Sequence, residues 1–428
     1  MTPVLDCPLV EAALTRPAPG TFPALRGRAE AALAGQSLPG TRVEAWKYTD
    51  LAAMRDLEFT PGAAVEVDIA PMILPEARGS RLVFVNGHYD SHRSNVTNLP
   101  AGVRFLNLAC APELAHELGS LTDPAAADLF ANLNNARFQD GALVVVPKGV
   151  TVAVPLHVVF VSEQDGPRPT SSLPRLFVVL EKGAQLNLVE EYQGRGCYLT
   201  AAVTEVLLRE DAVLNHDRIQ RESRDAFHFS HLAARLQRRS SYACRTVAYG
   251  ARLSRSTPHV VMAEPEAHLA LDGLALLGEG QLADTHSFID HEVPHCTGRQ
   301  IHRIIADQTG RAVFNGLIYV RPDAQGTDAQ QQCRGLLLSG SARIDTKPQL
   351  EIYADDVKCA HGAAIGQLDP EELFYLQSRG LRPELARNLL TYAFASDLLG
   401  RIEVASLRRQ LRSFVLARTN AESLETLP

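Results

Sequence analysis

A thiol and an imidazole stand two positions apart near the end of the chain, at Cys359 and His361. Residues two apart in an extended strand share a face, so the sulfur and the ring can point at the same object. Thiolate and neutral imidazole are ligands that suit iron or zinc. Lys358 is a neighbour that could lower the pKa of the thiol. Two ligands do not complete a site that needs about four, so the others must come from elsewhere in the fold, from a second chain or from solvent.

Other thiols and imidazoles are weaker candidates. Cys333 precedes Cys359 by 26 positions, about one coil of a repeat, and is either a third ligand or a small core residue. The plain alternative for Cys359 and His361 is a buried cysteine beside a surface histidine. A looser grouping matches no metal motif, and we expect its members to be mostly structural or exposed: His286, His291, His295, Cys296 and His302.

The cysteine count limits the class of protein. The 428 residues include 7 cysteines, none of them in a CxxC pair, which argues against a secreted disulfide framework and against zinc-finger or thioredoxin-type sites. We therefore expect reduced thiols in a cytoplasmic protein. The remaining cysteines are expected to be structural or incidental: Cys7, Cys110, Cys197, Cys244 and Cys296.

Charge, hydropathy and motifs exclude several functions. The net charge of −7 offers no basic field for nucleic-acid phosphates. The N-terminus has no signal-peptide pattern, and the most apolar stretch, residues 142–161, is interrupted by Pro147 and Pro155, so we expect no membrane association. No phosphate-binding loop, HExxH or GxSxG motif occurs. The adjacent Asp355 and Asp356 are expected in a solvated turn rather than as a catalytic pair.

The segments that must position these residues change character twice along the chain. Residues 1–139 are rich in helix-forming residues, with a capping box at 41–44, one strand at 82–85, and helices expected at 112–119 and at 124–139 behind an Asp123 cap. Residues 367–428 turn helical again, with a helix start at Asp369-Pro370, a stop at Gly380 and a new helix from Pro383.

Between them, residues 140–366 read as short β-rich runs punctuated by Gly, Asp, Asn and Pro. A loose repeat places Ala184, Ala212, Ala267 and Ala342 at intervals of 28, 55 and 75 positions, near multiples of a coil of about 25–30 residues. This pattern favours a β-solenoid over a sandwich.

The final helix carries an apolar stripe whose members are three or four positions apart: Val404, Leu407, Leu411 and Phe414. Since solenoid ends need covering, we expect the helical blocks to cap the two ends. The alternative for the stripe is docking of a partner.

Several stretches of the sequence resemble those of a known protein family. The stretch LEIYADDVKCAHGA at 350–363 closely resembles the signature of the SufB/SufD family of iron–sulfur cluster assembly proteins, and it continues into LFYL at 373–376 and SRGL at 378–381. FNG at 314–316, TKPQ at 346–349 and RVEAWKYT at 42–49 also fit, the last in the variant typical of SufD.

The resemblance implies a mainly β fold: a right-handed parallel β-helix flanked by N-terminal and C-terminal α-helical domains. It implies a non-catalytic scaffold subunit that pairs with SufB through the β-helix and binds the ABC-type ATPase SufC through its C-terminal helices. The cargo would be iron or a nascent iron–sulfur cluster held transiently at the subunit interface, and ATP would enter only through the partner ATPase. By the same resemblance, His361 matches a histidine implicated in iron acquisition and Cys359 an interface cysteine.

Two alternatives stay open. Cys333 aligns with the position where SufB carries its cluster-assembly cysteine, so a homodimer in isolation, with part of the SufB role, is one reading of that residue. The competing function is a carbohydrate-active enzyme on a β-helix, because such solenoids often display carboxylates along one face. Enzymes of that kind are usually exported, which the missing signal peptide disfavours.

Overall fold

The architecture comes from a computed structural model that describes residues 8–97 and 99–418, so Cys7 lies outside the described residues. Helices occupy the two ends of the described chain: α1 Pro8–Leu14, α2 Pro23–Leu33, α3 Ala52–Arg55, α4 Leu129–Arg137, α5 Pro370–Ser378, α6 Pro383–Leu399 and α7 Ala405–Arg418. Short 3-10 turns lie at Glu44–Trp46, Ala70–Met72, Pro75–Ala77, Leu108–Cys110 and Pro112–His116.

Short strands come first: β1 Thr60–Pro61, β2 Ser80–Val85, β3 His88–Tyr89, β4 Asn95–Val96, β5 Arg104–Asn107, β6 Ala142–Val146, β7 Leu156–Glu163, β8 Thr170–Ser172 and β9 Arg175–Leu180. A longer series follows: β10 Gln185–Arg195, β11 Tyr198–Leu208, β12 Val213–Gln220, β13 Phe227–Leu236, β14 Ser241–Ala248, β15 Leu253–Met262, β16 His268–Leu277, β17 Leu282–His291, β18 Thr297–Ala306, β19 Arg311–Val320, β20 Thr327–Leu337, β21 Arg343–Ile352 and β22 Val357–Gly366.

Successive strands alternate between two facing sheets, which makes a parallel β-solenoid. Sheet A runs β21-β19-β17-β15-β13-β11-β9-β6-β5, and sheet B runs β22-β20-β18-β16-β14-β12-β10-β7-β2-β3. From β9 and β10 onward the paired strands are parallel, as the predicted fold class requires. Stacked positions in sheet B show coils of 27 to 31 residues: Gln185, Val213, Ser241, His268, Thr297, Asp328 and Lys358.

One recurring turn explains the alanine repeat. Five successive turns into sheet-B strands, from β10 to β18, contain a residue with a left-handed backbone followed by a small buried residue, as at Gly183-Ala184, Asp211-Ala212, Glu266-Ala267 and His295-Cys296. A left-handed residue reverses the chain sharply, and the small residue after it fits between stacked coils. Ala342 precedes a sheet-A strand instead, so it belongs to a different turn.

The N-terminal helices cover the outer face of sheet A. Residues of α1, α2 and α4 form one apolar cluster with Leu199, Phe227 and Leu253 of that sheet. At its centre the rings of Phe130 and Phe229 stack with centroids 3.5 Å apart. The helical block is therefore attached to the side of the solenoid.

The C-terminal helices cover the outer face of sheet B in the same way. Leu407, Leu411 and Val415 of α7 are buried in a cluster with Ile219, Val247 and other sheet-B residues. The expectation that the helical blocks cap the two ends of the solenoid is therefore wrong for both blocks. An amphipathic helix buries its apolar stripe on the nearest apolar surface, and here that surface is the outer face of the sheet.

Local expectations in the N-terminal segment are partly wrong. The capping box at 41–44 does not form, because Glu44 begins only a 3-10 turn without a side-chain cap and binds Lys347 at 2.9 Å instead. Asp128 rather than Asp123 caps α4, accepting a hydrogen bond from the Ala131 amide at 2.9 Å. The helix expected at 112–119 is the 3-10 turn Pro112–His116.

The structure also places strands inside the segment predicted as mostly helical. The predicted strand at 82–85 lies within β2, which belongs to sheet B, and β5 belongs to sheet A. At the other boundary, β22 ends at Gly366 and α5 starts at Pro370, where Asp369 accepts from the Glu371 amide at 2.8 Å as predicted. Within the described residues, no helix is both long and apolar enough to span a membrane.

Candidate functional site

The last coil of the solenoid leaves two strand edges uncovered. Strand β21 pairs with β19 and β22 pairs with β20, and within the described residues neither has a partner on its other side. Most residues of β22 are exposed, whereas strands in the middle of the solenoid are largely buried. Open edges of this kind offer unpaired backbone N–H and C=O groups to another chain.

Both predicted ligands lie on this last strand. Cys359 and His361 are two apart in β22 and stand opposite Ala329 and Gln331 of β20. Cys359 is partly buried and packs against the interior apolar cluster, while His361 is exposed. By strand alternation the two side chains share one face, which is the arrangement the sequence predicted.

The environment of Cys359 does not activate its thiol. Burial raises the pKa of Cys359 above its usual value, and a hydrogen bond with the Ala329 backbone only partly opposes this. The expectation that Lys358 lowers this pKa is wrong, because neighbouring residues on a strand point to opposite faces. The thiol is therefore protonated at neutral pH, and a metal must displace that proton to bind the sulfur.

Cys333 lies elsewhere in the coil. It stands opposite Ala363, four positions along β20 from the residue opposite Cys359, which is about 13 Å along the strand. The expected spacing of one coil is wrong because the coil here contains 30 residues, as the pairing of Ala329 with Cys359 shows. Cys333 is fully buried beside Phe314, and burial raises its pKa to about 12. This burial favours the core alternative.

The looser grouping of histidines is dispersed by the fold. His286 lies 3.4 Å from Asp284, whereas His302 lies between the two sheets against Phe314, with ring centroids 4.5 Å apart. His295 and Cys296 occupy the recurring turn. Among the residues that the structure describes, no three His, Cys, Asp or Glu side chains come together as a metal site.

The remaining sequence candidates have ordinary surroundings. Asp355 and Asp356 are exposed in the turn before β22, where the Asp356 amide donates to Gln325 at 2.8 Å. Six cysteines in the described chain are free thiols: Cys110, Cys197, Cys244, Cys296, Cys333 and Cys359. Cys244 is buried, and burial raises its pKa to about 11, as expected for a structural residue.

Apolar side chains outside the predicted set of site residues surround the open edge. Tyr353 is 57% exposed with its ring centroid 5.4 Å from that of Tyr319, and Ile352 and Ile365 are also exposed. Isolated exposed apolar residues are common, but Ile352 and Ile365 lie on the two strands with an open edge, and Tyr353 directly follows β21. Ile352 and Tyr353 are adjacent rather than alternating, so no periodicity in the sequence singles these residues out.

A second exposed apolar surface lies on α5. Phe374 is 72% exposed and Tyr375 is 57% exposed, and no residue of α5 is buried. The stripe of α7, in contrast, is covered by sheet B, with Phe414 stacked on Tyr249 at a centroid distance of 3.8 Å. Of the C-terminal helices, α5 therefore presents the most accessible aromatic side chains.

Comparison with known proteins agrees with these features. The family described as "SUF system FeS cluster assembly, SufBD core domain" matches residues 160–394, and "SufBD protein N-terminal region" matches residues 10–158. An iron–sulfur cluster assembly SufBD family protein of Synechocystis sp. is 40% identical over 400 residues, covering 89% of this chain and 88% of that protein.

Two further relatives share most of their length with this chain. Protein ABCI7, chloroplastic, of Arabidopsis thaliana is 32% identical over 388 residues, covering 88% of this chain and 82% of that protein. The iron–sulfur cluster assembly protein SufD of Escherichia coli is 31% identical over 385 residues, covering 87% of this chain and 88% of that protein. The chain therefore belongs to the SufBD family of iron–sulfur cluster assembly proteins.

Proposed function

We propose that the chain is a SufD-like, non-catalytic subunit of a cytoplasmic iron–sulfur assembly scaffold. The observation that carries this proposal is the position of Cys359 and His361 on one face of a terminal strand whose outer edge is open. A pair of metal ligands at an unpaired edge is suited to a site that a second chain completes.

The partner at this edge would be a SufB-like subunit. Strands β21 and β22 supply backbone groups for pairing, and Ile352, Tyr353 and Ile365 supply apolar area around them. Strand addition of this kind derives affinity from main-chain hydrogen bonds and specificity from alternate side chains. In isolation the same edge would allow a homodimer.

The cargo would be iron or a nascent cluster held transiently. His361 is exposed and can take a metal first, and Cys359 can join it by losing its proton. The partner subunit would supply the further ligands. Cys333 would share this site only if the last coil moved, since it is buried under Ala363.

The ATPase would dock on the C-terminal helices, chiefly through α5. Its aromatic residues Phe374 and Tyr375 are exposed, and aromatic anchors contribute much of the binding energy at protein interfaces. ATP would enter the assembly only through that partner.

The alternative, a carbohydrate-active enzyme on the solenoid, has little support from the carboxylates. Those on the outer faces that could form a row are paired with arginines: Asp217 with Arg245, Asp290 with Arg321 and Asp328 with Arg299. A carboxylate held by a guanidinium group is a poor general acid when its ionised form is stabilised, as at Asp328, whose pKa Arg299 lowers. Asp217 is the exception, because burial raises its pKa to about 6 despite Arg245.

Co-purification tests the proposed function. We expect an affinity-tagged chain, co-expressed with SufB-like and SufC-like subunits, to bring down both in defined stoichiometry. Recovery of a stable monomer that binds glycans would contradict the scaffold function and support the enzyme.

A further inference from the structure

Two arginines stand side by side on the outer face of sheet B. Arg303 of β18 and Arg334 of β20 are paired positions on neighbouring strands, and both point away from the interior of the solenoid. Like charges directly opposite each other in a sheet are destabilising. The arrangement therefore needs a compensating anion or carries a cost.

Nearby arginines on the same face each have a carboxylate. Arg245 lies 3.2 Å from Asp217, Arg299 lies 2.7 Å from Asp328, and Arg401 lies 3.0 Å from Asp272. Within the described chain, neither Arg303 nor Arg334 has a carboxylate within 4.0 Å. These two differ from their neighbours in forming no ion pair among the described residues, and Asp397 of α6 acts on Arg303 only from beyond 4.0 Å.

The surroundings hold Arg303 in place and neutralise it only in part. Its guanidinium lies 5.4 Å from the ring centroid of Phe394 on α6, and its side chain is half-buried. Burial first, and Arg334 second, lower the pKa of Arg303 below its usual value, and Asp397 opposes this only in part. The unfavourable proximity of the two charges is therefore built into the packing of α6 on the sheet.

A third cation extends the pair along α6. Arg387 is exposed and donates a hydrogen bond to the Leu338 carbonyl, just past the end of β20, at 3.3 Å. It too has no carboxylate partner among the described residues. Beyond Arg334 the next position in the sheet is Ala364 of β22, which is small and exposed. The three arginines, here called the arginine seam, thus line an open side between α6 and the last coil.

We propose that the arginine seam, Arg303, Arg334 and Arg387, docks an acidic segment of the ATPase subunit. This rests on the proposed function, because α5 and α6 belong to the region assigned to that partner. Charge complementarity supports it: in a chain of net charge −7, these three guanidinium groups form no ion pair among the described residues. Guanidinium groups bind carboxylates in paired hydrogen bonds, and such contacts fix orientation at an interface.

The test measures binding of the purified ATPase to the co-folded SufB-like and SufD-like pair at low and high ionic strength. The double variant Arg334→Gln, Arg387→Gln changes only exposed side chains, so folding should be preserved. We expect about tenfold weaker binding and a shallower salt dependence. The matched control, Arg55→Gln with Arg224→Gln, removes two exposed arginines elsewhere and should bind like wild type.

Phe374→Ala separates the possible failures. If Phe374→Ala weakens binding while the seam variant binds like wild type, the seam is overturned and ATPase docking on α5 stands. If the wild-type pair does not bind the ATPase at all, the proposed function fails and the seam fails with it. An equal loss in the seam variant and in the Arg55, Arg224 control would also overturn the seam, because net charge alone would then explain it.

Discussion

The Cys359 thiol and the His361 imidazole share a face of β22 but not an environment. The sulfur packs against the interior apolar cluster, which raises its pKa, while the ring extends from the open end of the solenoid into solvent. A metal arriving from solution can therefore reach the imidazole directly, whereas it binds the sulfur only after the thiol loses its proton. Binding through the sulfur should weaken as pH falls, since the thiol must lose its proton.

A buried histidine offers a residue-scale prediction about pH. His302 lies between the sheets, and burial lowers its pKa from 6.5 to about 3. The unfolded chain takes up this proton near pH 6.5, whereas the folded chain does not until about pH 3. The stability contributed by the neutral ring is therefore complete above pH 6.5 and is lost as pH falls toward 3.

The variant His302→Gln removes this titration. We expect wild type to lose its stability advantage over the variant by about 2 kcal/mol between pH 7 and pH 5, measured by urea unfolding. Other shifted groups, such as Asp217 with its pKa raised to about 6, act in the opposite direction but are common to both proteins. Parallel pH profiles for the two proteins would show that the ring is not held neutral by burial.

At the scale of elements, the recurring turn does most to define the solenoid. A left-handed residue followed by a buried small residue starts successive sheet-B strands, and the chain uses Gly183, Asp211, Arg239, Glu266 and His295 in the left-handed position. The same rule accounts for His295-Cys296, which composition alone would place in a metal site.

The C-terminal helices separate a structural apolar face from an exposed one. Leu411 of α7 is 1% exposed within the sheet-B cluster, so Leu411→Ala should cost about 2–5 kcal/mol of unfolding free energy. Phe374 of α5 is largely exposed, so Phe374→Ala should change stability by less than about 0.5 kcal/mol while weakening ATPase binding. Chemical unfolding and a binding assay on both variants check this pair. Equal loss of stability in the two would contradict the assignment.

Sequence reasoning succeeded where the governing interactions are local. Asp369 caps α5 and Gly380 ends it with a φ of 92°, both within a few residues of the positions that determine them. It is less accurate where register accumulates over a coil: the spacing of 26 positions suggests that Cys333 is about one coil from Cys359, yet the 30-residue coil puts Ala329 opposite Cys359. Sequence reasoning also did not identify the surface on which the α7 stripe packs. The position of that surface depends on contacts between residues more than a hundred positions apart.

At the scale of the whole molecule, helices cover the two sides of the solenoid and leave its last coil open. The N-terminal block packs on sheet A and the C-terminal block on sheet B. A solenoid with an open terminal edge tends to associate through it. The molecule is thus arranged so that partners can reach the last coil and α5 separately.

A charge placed on the open edge tests this arrangement. Ile365 is 42% exposed on β22, so Ile365→Lys should leave the fold intact and reduce association through the last coil. Sedimentation of the chain alone and with its SufB-like partner measures the effect. Ile73→Lys is not a suitable control, because Ile73 packs in another apolar cluster. Val154→Lys, at an exposed apolar residue before β7, is the matched control. Unchanged association in Ile365→Lys would place the interface elsewhere.

The most direct test of the central claim is the iron content of the complex purified without oxygen. His361→Ala alters an exposed side chain, so folding and ATPase binding should persist while iron per complex falls well below wild type. Cys359→Ser should lower it as well, and His268→Ala, an exposed histidine at the start of β16, should leave it unchanged. Wild-type iron content in the His361→Ala complex would contradict the assignment of a metal-binding face to the last coil.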